Sequence, residues 1–297
     1  MNNNVKLGYA CHNETLKTTN KIGFKTMTVK YFNATELLKR IRNNFHVTYK
    51  IMQWNVENNI HLYRFSSDLI PLATHEVNNI EWWKDIEVLK YCRLIRELTQ
   101  KNNIQTSFHP SQYTLLTSHD DKIIQRSYND LKYHYKLCQL LSCKCVLLHI
   151  GGVYEDKDKA IRRFKHVFSK LPKQIQNVLF FENDDKSYNV EEVLSICESI
   201  NRVFIPDFHH DKCLRSTENF SYYMDRILNT WRHTDLKPKC HLSSSKETAK
   251  VVRNHADYIT IEDYNSCLEA TQGKFMLMFE VKKKELAVIE IRKKGNN

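Results

Sequence analysis

Short apolar runs alternate with longer amphipathic stretches along this chain. Eight runs read as strands: 5–10 (VKLGYA), 60–66 (IHLYRFS), 104–109 (IQTSFH), 144–150 (KCVLLHI), 177–183 (NVLFFEN), 202–208 (RVFIPDF), 239–243 (KCHLS) and 274–281 (KFMLMFEV). They are rich in Val, Ile, Leu and Phe, as strands buried on both faces of a parallel sheet are. Between them lie helical patterns. Thr35 is placed to cap ELLKRIRNNFHVTYKIMQW, and Asp85 to open IEVLKYCRLIRELTQ, where Ile86, Leu89, Cys92 or Arg93, Ile95 and Leu98 recur at helical spacing. The stretches KIIQRSYNDLKYHYKLCQLL, KAIRRFKHVFSKL, VEEVLSICESI, FSYYMDRILNTW, KETAKVVRNHA and KKKELAVIEI continue the series.

Eight strand–helix units without a linker or low-complexity tract predict an α/β fold, a (β/α)8 TIM barrel, with residues 1–297 forming one domain. An open doubly wound sheet carries the same pattern and is the alternative. The segment DYITIEDYNSCLEATQG is longer than a plain connection and has room for an extra helix near the barrel mouth.

Composition narrows the class. A hydrophobic fraction of 41% and a charged fraction of 27% are those of a globular protein. The formal charge of +11 favours a polyanionic partner, although a solvated basic surface has the same composition. Nine scattered cysteines form neither a disulfide framework nor a zinc ribbon and suit an intracellular, reducing compartment, cytoplasm or nucleus. The start MNNNVKLGYA lacks a signal-peptide pattern, and no apolar run reaches membrane-spanning length, so no membrane partner is expected.

The chemistry gathers where the strands end. The second run leads through SSDLIPLATH to His75; the third ends at His109, the fourth at His149 and the fifth at Glu182. Asp207 lies in the sixth, with His209 and His210 just beyond, Lys239 and His241 in the seventh, Glu280 in the eighth, and His255 between the last two. In a parallel barrel these ends share one face. Burying so many ionisable groups unpaired is costly, and divalent cations offset that cost. Imidazole with carboxylate suits zinc, manganese or iron better than calcium. The set exceeds the needs of one tetrahedral ion, which implies at least two ions, with three favoured. Each histidine alone reads as a core residue bonded to a carbonyl; the ordered series carries the argument. His46, His134 and His166 fall in helical patterns and read as surface residues, while His209 reads as a neighbour of the ligands. Cys240 alternates away from Lys239 and His241 and reads as an apolar filler.

The motifs GYACHN, IPLATH, SFHPSQY, HIGGVYEDK, FENDD, PDFHH, KCHLS and FEVKKKE follow one another in an order that resembles the UV damage endonucleases, from Gly8 to about Glu285. The resemblance implies a TIM-barrel DNA repair enzyme that cuts double-stranded DNA immediately 5′ of UV photoproducts, leaving a 3′-hydroxyl and a 5′-phosphate. It implies a three-metal cluster, assigned as manganese, with zinc or magnesium as alternatives. By position, His75, His109, His149, Glu182, Asp207, His210, His241, His255 and Glu280 match the family's ligands. Lys239 matches a lysine modified by carboxylation beside the cluster, and Glu182, Asp207 and Lys239 are the candidate catalytic groups. Gln112 and Tyr113 match a pair that enters the duplex at the lesion, and Tyr9 and Asn13 match positions that contact the flipped lesion. A monomer suffices for this reading. An abasic-site endonuclease on a related barrel would share the metal logic, and a sugar isomerase would share the ligands without needing a basic face. A lesion-binding protein without activity would keep Gln112 and Tyr113 but not need the ligands.

Overall fold

The computed structural model describes residues 5–246 and 253–295. Among the described residues seven strands form ladders: β1 (Leu7–Ala10), β2 (Leu62–Arg64), β3 (Gln105–Ser107), β4 (Val146–His149), β5 (Leu179–Glu182), β6 (Lys239–Leu242) and β7 (Met276–Phe279). All the ladders are parallel. One sheet runs β3-β2-β1-β7-β6, and β4 pairs with β5. Isolated parallel bridges close the ring: Phe108 with Val146, Phe181 with Phe204, and Asp207 with His241. The result is the expected barrel, with the 202–208 run reduced from a strand to bridges.

The reason lies in that run's donors. Phe204 donates its N–H to Thr230 Oγ1 at 3.2 Å and Asp207 to Asn183 Oδ1 at 2.8 Å, while Pro206 has no N–H. Only Ile205 donates to β5, reaching the Phe181 carbonyl at 2.8 Å. The chain stays in the ring but spends its hydrogen bonds on side chains. At the opposite side of the barrel, Gly8 allows β1 and β2 to close together; a Cβ there would meet the Leu62 carbonyl oxygen at 1.8 Å.

Side chains alternate between two compartments. Tyr9, Leu148, Phe181, Cys240, Leu242 and Phe279 join the core between strands and helices, as expected for Cys240. The lower lumen holds two apolar clusters. One includes Cys145, Leu147, Phe180, Val203 and Ile205, and the other Ala10, Leu62, Met276 and Met278. Each fully buried Leu, Ile or Phe contributes about 1.5–3 kcal/mol.

Several local expectations change. Asn33, not Thr35, caps the helix Ala34–Glu57, because its extended backbone lets the side chain accept from Glu36 N–H at 3.0 Å. Asp85 does cap Ile86–Lys101, but the inward stripe is Val88, Cys92, Ile95 and Thr99, and Ile86 is 77% exposed. Asn177 and Val178 end the helix Lys173–Val178, so β5 starts at Leu179. Most of the expected helix KETAKVVRNHA, residues 247–252, lies outside the described residues, and its end is a turn in which His255 bridges Ser245. The helix Ile261–Ala270 forms inside the long segment before β7 and serves as the crossover. His134, read as a surface residue, is buried. No helix among the described residues is long and apolar enough to cross a membrane.

Candidate metal centre

Glu182, the last residue of β5, is buried at the centre of the upper lumen. Its Oε1 stands 2.8 Å from His109 Nε2 and 3.1 Å from His149 Nε2; its Oε2 stands 2.8 Å from His241 Nδ1. The same His241 nitrogen lies 2.9 Å from Glu280 Oε1, and Glu280 pairs with the Arg64 guanidinium at the end of β2. Two groups of donor atoms fall within 4.8 Å of one another: His109, His149 and Glu182, and Glu182, Asp207 and His241. The rings of His149 and His210 are 5.8 Å apart, and His210 and His255 are 6.3 Å apart. The strand-end residues thus form one connected patch at the C-terminal rim.

The protonation pattern fits cations. His109 donates Nδ1–H to the Pro110 carbonyl at 2.8 Å, His210 donates to the Asn183 carbonyl at 3.0 Å, and His255 donates to the Glu280 carbonyl. A carbonyl only accepts, so each neutral ring carries its proton on Nδ1 and presents a lone pair at Nε2. His109 Nε2 in turn faces Glu182 Oε1, a contact that a shared proton or a cation would bridge. His241 Nδ1, Glu182 Oε2 and Asp207 Oδ2 are buried without an aligned hydrogen bond, despite the short separations around His241. Donors aimed between one another, with their far sides fixed by backbone carbonyls, are what ligand sets look like.

The electrostatics among the protein's own groups follow the same geometry. Burial alone would raise the Glu182 carboxyl, but His149, His241 and His109 hold it well below the usual carboxylate range. Burial would likewise raise Glu280, and Arg64 and His241 reverse it. Burial pulls both His241 and His210 down, yet Glu280 and Glu182 around the first, and Asp207 and Glu182 around the second, push each up to about 9. His149 is lowered, chiefly by burial. Lys239 lies deeper in the lumen, fully buried, and its Nζ has no hydrogen-bond partner among the described residues.

A family model described as UV-endonuclease UvdE matches residues 5–296. The UV DNA damage endonuclease of Bacillus cereus (strain B4264) is 34% identical over 299 residues, covering 97% of this chain and 93% of that protein. The chain belongs to the UvdE family of UV endonucleases. The crystal structure of SacUVDE superposes with a TM-score of 0.87 at 27% identity, covering 98% of this chain and 99% of that one. Endonuclease IV from Thermus thermophilus shares the fold, with a TM-score of 0.57 at 13% identity over 97% of this chain and 99% of that one. Membership makes this chain a nuclease of DNA repair.

In this UvdE-family barrel, His109, His149, Glu182, Asp207, His210, His241, His255 and Glu280 come together. His75 stands apart, exposed in the loop after β2, where its Nδ1 accepts from Val77 N–H at 3.2 Å. Gln112 and Tyr113 are exposed at the rim, the tyrosine 75% open. Tyr9 is enclosed, its hydroxyl donating to Asn55 at 2.7 Å and accepting from Asn13 at 2.9 Å. Asn13 is buried too and caps the helix Glu14–Thr19. His209 is fully buried beside His255, with their rings 5.3 Å apart.

Two site residues escaped the sequence reading. Arg64 is a strand-end residue like the ligands, passed over because a cation does not ligate a metal. Asn183 follows Glu182 in FENDD. Its amide accepts from Asp207 N–H at 2.8 Å and donates to the Asp207 carbonyl at 3.0 Å, while its own carbonyl holds His210. Its place beside a carboxylate at a strand end was the available signal.

Proposed function

We propose that this chain hydrolyses the phosphodiester bond immediately 5′ of a UV photoproduct in double-stranded DNA, a cyclobutane dimer or a 6-4 photoproduct, with abasic sites as a further substrate. The products are a 3′-hydroxyl and a 5′-phosphate. The observation that carries this reading is the meeting of three imidazoles at one buried carboxylate, Glu182. The ligand set would be His109, His149, Glu182, Asp207, His210, His241, His255 and Glu280, with His75 joining from its loop. It would hold three manganese ions, with zinc or magnesium as alternatives. When bound, such ions acidify a water for attack and neutralise charge on the phosphate.

The protein's own groups do the rest. Glu182 directs one oxygen toward His109 and His149 and the other toward His241, so it is shaped to span two ion positions. Asp207 is held from both sides by Asn183 and offers its unpartnered Oδ2 to the same space. Lys239 as a buried ammonium without a partner would be costly; carboxylation of its amine by carbon dioxide, releasing a proton, would make it an anion facing the cluster. Gln112 and Tyr113 would enter the duplex where a lesion has weakened stacking and pairing. Tyr9 and Asn13 are enclosed where they stand, bonded to each other and to Asn55, so they would meet an extruded lesion only after the segment following β1 moves; the barrel would act as a monomer.

The test is a duplex with one defined photoproduct, incubated with protein and manganese, with the break mapped on both strands. A single nick at the 5′ bond with a 3′-hydroxyl is expected. Binding without cutting, or cutting only at an abasic site, would remove this reading.

A further inference from the structure

Tyr154 has a backbone conformation that aromatic residues avoid. It lies in the loop after β4, with φ +59°. Lys21, Asn59, Asn103, Ser142, Asn201 and Gln272 share the left-handed region but follow helix ends, where it is ordinary; Cys11, Leu72 and Lys284 have it elsewhere, and Tyr154 is the one aromatic residue with it among the described residues. Tyr154 follows no helix, and a bulky side chain there strains the chain. Tyr154 is nevertheless 45% exposed, so burial does not account for its position. Tyr31 and Tyr222 are more exposed, but neither has positive φ.

Neighbouring elements hold this ring in place. Gly152 lies beneath it, where a Cβ would meet ring atom Cε2 at 3.3 Å. His119, from the loop after β3, packs edge-on at 4.8 Å, and the Arg163 guanidinium lies 5.4 Å from the ring centre. Arg163 also donates Nε–H to the Thr117 carbonyl at 3.0 Å. Gly151, at φ +117°, approaches Thr117 so closely that a Cβ would come within 2.5 Å of its Oγ1. The loop bearing Tyr154 is thereby fastened to the loop that carries Gln112 and Tyr113. Arg163 Nη2 and Thr117 Oγ1 are buried there without hydrogen-bond partners.

We propose that Tyr154 is a second nucleobase-stacking residue on the rim, a prefixed phenol face for a base left unpaired when the duplex opens. This rests on the endonuclease reading above. An exposed ring that is already immobilised loses little rotamer freedom when a base covers it. The adjacent guanidinium adds cation–π support and a favourable field for a polyanion. The strain is explained if the ring must point outward at one fixed place near the centre.

The test compares the parent protein with Tyr154→Phe and Tyr154→Asn on a duplex carrying one photoproduct with 2-aminopurine opposite it. Asparagine tolerates the left-handed backbone, so that variant keeps the loop while removing the ring. Tyr154→Asn is expected to raise KM about tenfold, with most of the loss in KM and not kcat, and to relieve the stacking quench of 2-aminopurine seen with the parent. Tyr154→Phe is expected to restore both. Equal loss in Tyr154→Phe, or parent-like KM and quench in Tyr154→Asn, would overturn the stacking role. A parent protein that neither binds nor cuts the duplex would instead overturn the endonuclease reading.

Discussion

His134 and His241 are both buried, yet they occupy opposite kinds of environment. His134, on the helix Asp121–Leu141, donates Nδ1–H to the Asp130 carbonyl at 2.8 Å and sets Nε2 3.0 Å from Ser67 Oγ. Burial lowers its pKa, and each ring nitrogen has a hydrogen-bonding neighbour. His241 stands between Glu182 and Glu280, is pushed up to about 9, and has neither nitrogen in an aligned hydrogen bond. Burial therefore does not mark the functional histidine. What marks it is a set of surroundings that leave its needs unmet unless a further charge arrives.

The sharpest way to break this contrast is at Glu182. Glu182→Gln keeps the shape but removes the anion that three imidazoles surround, and should reduce incision roughly 1,000-fold or more, beyond the 10- to 100-fold typical of outer-shell partners. Incision rates in metal-controlled buffer, beside a melting curve showing a folded protein, decide it. Normal cutting would remove Glu182 from the chemistry.

Metal loading should carry a steep pH dependence. In the metal-free protein His241 and His210 stay protonated up to about 9, and ligation requires the neutral rings. Binding near neutral pH should therefore release protons, and apparent affinity should rise about tenfold per pH unit for each proton displaced. The stability that these imidazoliums lend the metal-free fold is complete below the ordinary histidine value of 6.5 and is lost as pH rises through about 9. Calorimetry in two buffers of different ionisation enthalpy measures the protons, and zero release would show that the ions bind elsewhere.

The contrast also explains what was legible in the chain. Glu182, His149 and Glu280 are strand-end residues after apolar runs, so the period-2 pattern exposed them. The barrel followed from eight such runs, although the sixth is no ladder, because Pro206 and side-chain acceptors at Asn183 and Thr230 take its hydrogen bonds. His134 was misread because helical periodicity shows which face a residue is on, not that a serine from another loop waits to satisfy it. Arg64 was missed because its role depends on Glu280, which is 216 residues away in the chain.

Arg64 offers a smaller test of the same centre. It pairs with Glu280, whose oxygen also faces His241. Arg64→Gln leaves that carboxylate with less to orient it and should lower metal affinity about 10- to 100-fold, as for other outer-shell partners, with Arg64→Lys recovering part. Metal content after dialysis checks it; full retention in Arg64→Gln would make the pair structural only. At the rim, Tyr113→Ala should reduce discrimination between damaged and intact duplex by about tenfold while leaving bound metal unchanged. Paired binding titrations measure it, and an unchanged ratio would refute the probe role.

The smallest effect on incision is expected at the satisfied histidine. Ser67 Oγ lies 3.0 Å from His134 Nε2 and 2.7 Å from the His109 carbonyl, with one proton to give to either, so His134 braces the strand end that carries a ligand without facing the ligand cluster. His134→Ala opens a cavity and leaves the Ser67 hydroxyl only the His109 carbonyl to bond, which should cost about 2–4 kcal/mol of stability. Because the brace acts through two hydrogen bonds and a backbone, incision below the melting range should fall only a few-fold. Denaturant unfolding and incision rates on the same preparation separate the two. A loss of incision comparable to Glu182→Gln, with stability intact, would place His134 in the chemistry and dissolve the distinction between the two buried histidines.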